Sequence, residues 1–197
     1  VLVTSEHPFS YWQEILFQLR SLHHVQALIG SFELPETNPL QSIYEQVQEF
    51  TVPGLRQANS FRITTNRNGK AHTFTSTQVQ QYAGAGILAQ YPRSVSLEHF
   101  DVELRCDVFD NTVILGLQLT STSLTNRHER RFLPRVSLQP HMAYALLAQA
   151  RITEADRALL DPFCGAGTIL IEAADCYPWL QLTGTDYAER SITGAEA

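Results

Sequence analysis

A glycine-rich turn between a predicted strand and a predicted helix has the residue types of a ligand-binding site. An apolar strand ends at Leu160, and the residues DPFCGAGTILIEAA follow it at 161–174. Asp161 stands at the carboxyl end of that strand, where open α/β sheets bind ligands. Gly165 and Gly167 allow a tight turn whose backbone can approach a ligand closely. The stretch therefore predicts a cradle for a nucleotide-like cofactor.

Two further residues extend this candidate site. Thr168 begins the predicted helix, whose free backbone N–H groups and positive end face the same crevice. A second predicted strand ends at Asp186, which follows Gly167 by 19 residues. An acidic residue at about that distance is placed to accept hydrogen bonds from ribose hydroxyls.

Three interpretations of the turn stay open on these residues. The first is a tight strand-to-helix turn without a ligand, because a GxG pair alone is weakly specific. The second is a nicotinamide site, but the third glycine of GxGxxG would stand at position 170, where the chain has Leu170. The third is S-adenosylmethionine, which carries no phosphate. Its ribose suits Asp186, and its sulfonium and amino groups favour a nearby carboxylate such as Asp161, so the residues favour this third interpretation.

Length and composition limit the class of protein. The chain has 197 residues, of which 44% are hydrophobic and 17% charged, and this suits one large or two small globular domains. No apolar run approaches the roughly 20 residues of a membrane span, and residues 1–10 lack a signal-peptide pattern. The three cysteines contain no CxxC pair, so we expect no disulfide framework, no metal site and a cytoplasmic location.

The positive charges are unevenly distributed. The net charge of −6 argues against a protein that binds nucleic acid through its overall charge. Many of the basic residues nevertheless fall within two short stretches, FRITTNRNGK and RHERRFLPR. Solvated loop charges are the simpler interpretation of these stretches, and a local basic face on an acidic protein is the alternative.

Apolar spacing predicts alternating helices and strands in the first half of the chain. Helical spacing predicts one helix in YWQEILFQLR and a second from Pro39 onward, with Asn38 as its cap. Between these two helices, VQALIGSFEL has the composition of a strand.

The middle of the chain carries turn and cap signals. An Asn-Gly pair at residues 68–69 predicts a hairpin turn, because both residues tolerate positive φ angles. Ser76 is placed to cap a following helix. Gly84 and Gly86 weaken that helix, so they predict close packing against a neighbouring element.

The clearest strands come next. FDVELRCDVF and TVILGLQLT each alternate apolar and polar residues, and Asp110-Asn111 lies between them. The pattern predicts two half-buried strands joined by a two-residue hairpin, with Cys106 in the core as an inert apolar side chain.

The periodicity then changes. STSLTNRHERRFLPRVSLQP has no regular pattern and contains two prolines, which is typical of an interdomain linker. A helix at QPHMAYALLAQA and an alternation of strand, helix, strand and helix follow. This order predicts the start of a parallel, doubly wound sheet.

The stretch LLDPFCGAGTILIEAA resembles the cofactor motif of the THUMP-containing RNA guanine-N2 methyltransferases, which are class I, S-adenosylmethionine-dependent enzymes. VSLQPHMAYALLAQA resembles the helix that precedes this motif in the family, and SFRITTNRNGKAHTFTS and FDVELRCDVFDNTVILGLQLTSTSL are similar to THUMP strands. The implied fold class is α/β: an α+β ferredoxin-like and THUMP region, followed by the beginning of a Rossmann-like domain with a parallel sheet. The implied parts are a ferredoxin-like region at 1–38, a THUMP domain at 39–120, a linker at 121–136 and a truncated methyltransferase domain at 137–197.

The resemblance implies roles for residues on both sides of the linker. It implies that the methionine and adenosine moieties are lined by Asp161, Cys164, Gly165, Ala166, Gly167 and Thr168. Asp186 would hold the ribose and Tyr187 would lie beside the adenine. In the tRNA-modifying branch the THUMP domain grips the acceptor end, so we expect phosphate contacts from Arg62, Arg67, Lys70, Arg127, Arg130, Arg131 and Arg135.

One family motif is absent. The methyl-transfer loop of the family carries Asn or Asp followed by Pro-Pro and an aromatic residue, and residues 1–197 contain no such string. The chain is therefore expected to be an N-terminal fragment without catalytic residues, from an enzyme that methylates guanine N2 in the tRNA acceptor stem. A ribosomal RNA enzyme and a non-catalytic THUMP module remain as alternatives. A small-molecule methyltransferase is disfavoured, because it leaves the first 120 residues unexplained.

Overall fold

The computed structural model describes residues 4, 6–7, 9–69, 72–128, 132, 134 and 136–195. The chain divides into two compact units. The central unit comprises Val25–Ser121, and the terminal unit comprises Val1–His24 together with Thr122–Ala197. The predicted boundary at residue 38 thus differs from the unit boundary after His24, because the strand that follows His24 pairs within the central unit.

The central unit consists of two helices on a six-stranded sheet. Its helices are α2 (Pro39–Gln46), followed by a short 3-10 turn at Val47–Glu49, and α3 (Ser76–Gln90). Its strands are β1 (Gln26–Glu33), β2 (Ser60–Thr64), β3 (Arg67–Asn68), β4 (Ser94–Val95), β5 (Val102–Phe109) and β6 (Thr112–Gln118).

The sheet is mixed, with the order β1-β6-β5-β2-β4 and with β3 beside β5. β6 pairs antiparallel with β1 and with β5, which confirms the predicted strand at VQALIGSFEL and the predicted hairpin at Asp110-Asn111. Asp110 adopts a φ of 50°, as such a two-residue turn requires. Cys106 is fully buried, and burial raises the pKa of its thiol to about 12.

The predicted hairpin at residues 68–69 is wrong. β2 and β3 both pair with β5 in parallel, so the chain continues along the same edge of β5 instead of turning back. The backbone N–H of Asn66 donates to Oδ1 of the buried Asp107 at 2.7 Å, and Asp110 N–H donates to the Asn68 carbonyl at 3.1 Å. These bonds hold the connection against β5.

The hydrophobic core of the central unit lies between the two helices and one face of the sheet. Alternate residues of β5 and β6 point into it, as the alternation of the sequence predicts. The fully buried members include Ile43, Val47, Phe61, Val79, Ala83, Ile87, Leu104, Cys106, Val108, Val113 and Leu115.

Both predicted helix caps of this unit are wrong in detail. Asn38 has a left-handed φ of 54° and its side chain caps nothing, while Pro39 begins α2 with a φ suited to the first helical position. α3 is capped one residue before the predicted Ser76: the Thr75 hydroxyl accepts from Gln78 N–H, and the Gln78 side chain bonds the Thr75 backbone in return.

The terminal unit carries the predicted alternation of strands and helices. Its elements are α1 (Phe9–Gln18), α4 (Pro140–Gln149), β7 (Ala158–Asp161), α5 (Thr168–Cys176), β8 (Gln181–Gly184) and α6 (Glu189–Ala195). β7 and β8 are parallel, which confirms the predicted start of a parallel sheet. Among the residues described above, no helix has the length and apolar character that crossing a membrane would require.

The two glycines of α3 have different surroundings. A Cβ added to Gly86 would stand 2.5 Å from the Tyr44 carbonyl oxygen and even closer to Val47, so α3 and α2 touch at this point. A Cβ added to Gly84 would meet nothing within 4 Å. The predicted close packing is confirmed for Gly86 and is wrong for Gly84.

This contrast yields a stability test with an internal control. Gly86→Ala should lower the free energy of unfolding by about 1–3 kcal/mol, because α2 has to move away from α3. Gly84→Ala should raise it by about 0.5–1 kcal/mol, because alanine favours the helix and open space surrounds the new methyl group. Urea unfolding followed by circular dichroism measures both changes. Equal effects of the two variants would contradict the close contact at Gly86.

Candidate functional site

The glycine-rich turn joins β7 to α5 at the carboxyl end of the two-stranded sheet. Gly165 and Gly167 have φ angles of 53° and 75°, in the left-handed region that other residues adopt at a cost. A Cβ built on Gly165 would meet nothing within 4 Å, so the surface of the turn is open to a ligand. The two glycines therefore form the tight, open turn that the sequence predicts.

Backbone hydrogen bonds tie the turn to the end of β8. Cys164 N–H donates to the Thr185 carbonyl at 2.9 Å, and Thr185 N–H donates to the Asp161 carbonyl at 2.9 Å. Within the turn, Gly167 N–H donates to the Cys164 carbonyl at 2.7 Å. These bonds give the turn a defined shape without any ligand.

Asp186 contributes its side chain to the same turn. Its Oδ1 accepts from Ala188 N–H at 2.8 Å, and its Oδ2 accepts from Gly165 N–H at 2.9 Å. Both bonds lower the pKa of the Asp186 carboxyl because they stabilise its charged form, and the bond from Ala188 has the larger effect. Each carboxylate oxygen can accept a second hydrogen bond, so Asp186 can hold the turn and still accept from a ligand hydroxyl.

Cys164 packs beneath the turn. A Cβ added to Gly184 of β8 would stand 2.6 Å from Leu170 Cδ1 and 3.0 Å from Cys164 Sγ, so glycine at 184 makes this packing possible. Burial raises the pKa of the Cys164 thiol, and the charges of Asp161 and Asp186 raise it further. The thiol is therefore kept protonated.

The structure brings together most of the residues predicted for the cofactor. Asp161, half-buried, accepts Phe163 N–H through Oδ1 at 3.1 Å at the edge of the turn. Ala166 is buried within the turn, Thr168 is buried at the start of α5, and Tyr187 is fully exposed. Cofactor contacts of these residues stay predictions.

Those of the predicted phosphate-binding arginines that the structure describes already have acceptors within the chain. Arg62 pairs with Glu103 at 3.0 Å, donates to the Leu97 carbonyl at 3.2 Å and lies over the Phe100 ring. Arg67 donates to the Gly69 carbonyl at 3.2 Å. Four further residues predicted to contact phosphate lie outside the described residues: Lys70, Arg130, Arg131 and Arg135. Phosphate contacts stay a prediction.

Arg127 belongs to an ion-pair cluster that the sequence does not reveal. Its Nη2 lies 3.1 Å from each carboxylate oxygen of Glu172, which is only 1% exposed in α5. Arg20 Nη1 lies 3.4 Å from Glu172 Oε2, and the other Nη of Arg20 contacts Asp175. A carboxylate within the apolar pattern TILIEAADC is the one signal that could have indicated a buried charge.

Two family models match the chain. A THUMP domain model matches residues 38–118, and an RMKL-like methyltransferase domain model matches residues 127–195. The first coincides with most of the central unit, and the second contains the glycine turn and Asp186. The fold and the site thus define a protein that joins a THUMP domain to a class I methyltransferase domain.

Named relatives agree with both matches. A tRNA (guanine(6)-N2)-methyltransferase of Thermus thermophilus is 35% identical over 167 residues, which are 85% of this chain and 49% of that protein. The tRNA (guanine(6)-N(2))-methyltransferase THUMP3 of Mus musculus is 35% identical over 130 residues, 66% of this chain and 25% of that protein. The crystal structure of TrmN from Thermus thermophilus aligns with a TM-score of 0.71 at 32% identity and covers 98% of this chain and 57% of that one.

The chain belongs to the family of THUMP-containing methyltransferases related to RNA guanine-N2 methyltransferases. This confirms the resemblance noted in the sequence. The chain spans about half the length of the Thermus relative and a quarter of the mouse one.

The bonds of Asp186 predict a titration that can be followed directly. Because its pKa is lowered in the folded protein, its contribution to stability is fully present above the ordinary value of 3.8 and is lost as the pH falls through the lower folded value. The amide signals of Gly165 and Ala188 should therefore titrate together below pH 3.8 in two-dimensional NMR. Asp186→Asn should abolish this titration. Amides that titrate at or above the ordinary pKa would contradict the two hydrogen bonds.

Proposed function

We propose that the full-length protein transfers a methyl group from S-adenosylmethionine to the N2 amino group of a guanine in tRNA. The observation that carries the proposal is the open glycine turn held by Asp186, in a chain whose other unit is a THUMP domain. The names of the Thermus and mouse relatives favour tRNA as the substrate. A cytoplasmic location fits this substrate.

The residues of the turn fit the proposed cofactor. The open space at Gly165 leaves room for a ligand against the backbone, and the first turn of α5 offers N–H groups and a positive end. S-adenosylmethionine, when bound, supplies the methyl group. Asp186 would accept from the ribose hydroxyls, and the Asp161 carboxylate would favour the positive charge of the methionine part. Tyr187, fully exposed, is free to lie beside the adenine.

The proposed RNA contacts divide between the two units. Arg62 and Arg67 lie in the THUMP unit, where a phosphate would compete with Glu103 or a carbonyl for the guanidinium. Lys70 and the linker residues Arg127, Arg130, Arg131 and Arg135 complete the set that the sequence predicts. Such contacts orient the RNA, while the residues that hold the guanine are proposed to lie in the part of the protein that this chain does not span.

The proposed ribose contact predicts a binding defect with a nearby control. Asp186→Ala in the full-length protein removes an ionised acceptor, so its affinity for S-adenosylmethionine should fall by about tenfold or more. Glu189→Ala should have little effect, because Glu189 is exposed on α6 and its carboxylate faces water. Isothermal titration calorimetry measures both. Equal affinities of the two variants would exclude the ribose assignment.

The reaction itself can be tested in cells. Nucleosides from purified tRNA and ribosomal RNA should be compared by mass spectrometry between cells with and without the gene. Loss of N2-methylguanosine from tRNA alone, with recovery on re-expression of the wild-type gene, is the expected result. Loss from ribosomal RNA would favour the ribosomal alternative. Unchanged nucleosides in both RNAs would favour a non-catalytic THUMP module.

A further inference from the structure

A buried carboxylate stands one helical turn inside the helix that begins at the cofactor turn. Glu172 follows Thr168, the first residue of α5, by one turn, and both side chains are buried. Both residues also line one small cavity, together with Thr125, His128 and Pro140. Because Glu172 and Thr168 lie one turn apart in α5, a displacement of the helix at Glu172 would be transmitted to its first residue and to its N-cap, Gly167 of the glycine turn.

Two guanidinium groups neutralise this carboxylate. Arg127 reaches both Glu172 oxygens from one side, and Arg20 approaches Oε2 from the segment that precedes the central unit. A carboxylate removed from water needs such partners, and loss of one partner leaves an uncompensated charge. The position of α5 is thereby coupled to the positions of these two arginines.

Arg127 is fixed on its other sides as well. Its Nη1 donates to the Leu124 carbonyl at 2.6 Å, and its Nη2 donates to the Arg20 carbonyl at 3.3 Å. One guanidinium thus joins three stretches of the terminal unit, around residues 20, 124 and 172. A lysine ammonium at the same place could not reproduce this forked set of donors.

We infer that Arg127 and Arg20 are positioning residues for cofactor binding, acting through Glu172 on α5. The inference rests on the proposed function, because S-adenosylmethionine is the ligand whose site α5 forms. It replaces the phosphate contact predicted for Arg127. Through Arg20, the segment of residues 1–24 would then support cofactor binding in the terminal unit instead of RNA binding in the central unit.

A charge-preserving substitution separates the two roles of Arg127. Arg127→Lys keeps a cation that could contact phosphate but loses the fork that holds Glu172. In the full-length protein it should weaken S-adenosylmethionine binding, measured without RNA, by about tenfold, since small displacements of a binding group are costly. Glu172→Gln should act in the same direction. Both variants should leave tRNA affinity and its salt dependence unchanged.

Two controls accompany these variants. Arg62→Lys is the same chemical change at an arginine that pairs with Glu103 in the central unit, and it should leave cofactor affinity unchanged. Leu180→Ala removes a buried side chain at the amino end of β8, far along the strand from the turn, and should lower the melting temperature without altering cofactor affinity. Hydrogen exchange of residues 164–168 without cofactor gives a second readout, and it should accelerate in Arg127→Lys alone among the arginine variants.

The outcomes are distinguishable. If Arg127→Lys binds the cofactor as tightly as wild type, the positioning role is overturned, and Arg127→Ala with a flatter salt dependence of tRNA binding would assign it to phosphate. If Leu180→Ala weakens cofactor binding as much as Arg127→Lys does, general destabilisation explains the result and the inference fails. If wild-type protein does not bind S-adenosylmethionine, the proposed function fails first.

Discussion

Two buried carboxylate side chains determine the positions of several segments of this chain. Asp107 in the central unit and Glu172 in the terminal unit are both buried, and a buried carboxylate is costly unless donors surround it. Asp107 draws in the backbone of Asn66 and the side chain of Arg105, while Glu172 draws in Arg20 and Arg127. In each unit a buried acidic residue therefore fixes, through hydrogen bonds and ion pairs, the position of segments that the hydrophobic pattern does not determine.

The elements that could be predicted are those with strong local patterns. The β5–β6 hairpin follows from strict alternation around Asp110-Asn111, and the order of strands and helices after residue 157 follows from period and turn residues. The connection after β2 could not be predicted in the same way. Asn-Gly favours a hairpin locally, but the acceptor that fixes this segment is Asp107, 41 residues from Asn66.

In the candidate site, too, the features set by neighbouring residues could be predicted and those set by distant residues could not. The open turn is predictable because its glycines, the strand before it and the helix after it are adjacent in the sequence. Asp186 is predictable from its spacing, although its bond to Gly165 N–H is a detail that spacing does not give. The partners of Glu172 lie 45 and 152 residues away, so no local pattern marks them. An arginine in a basic stretch suggests a surface role until its acceptor is known.

The thiol of Cys164 has a practical consequence. It lies beneath the glycine turn against Gly184, protonated and shielded, so a maleimide or disulfide reagent can reach it only when the turn opens. Cys106 is fully buried within the other unit and would react more slowly still. Cys176, half-buried at the end of α5, would react before either of them. With Cys176 replaced by serine, Cys164 would report the opening of the turn, with Cys106 as an internal reference thiol.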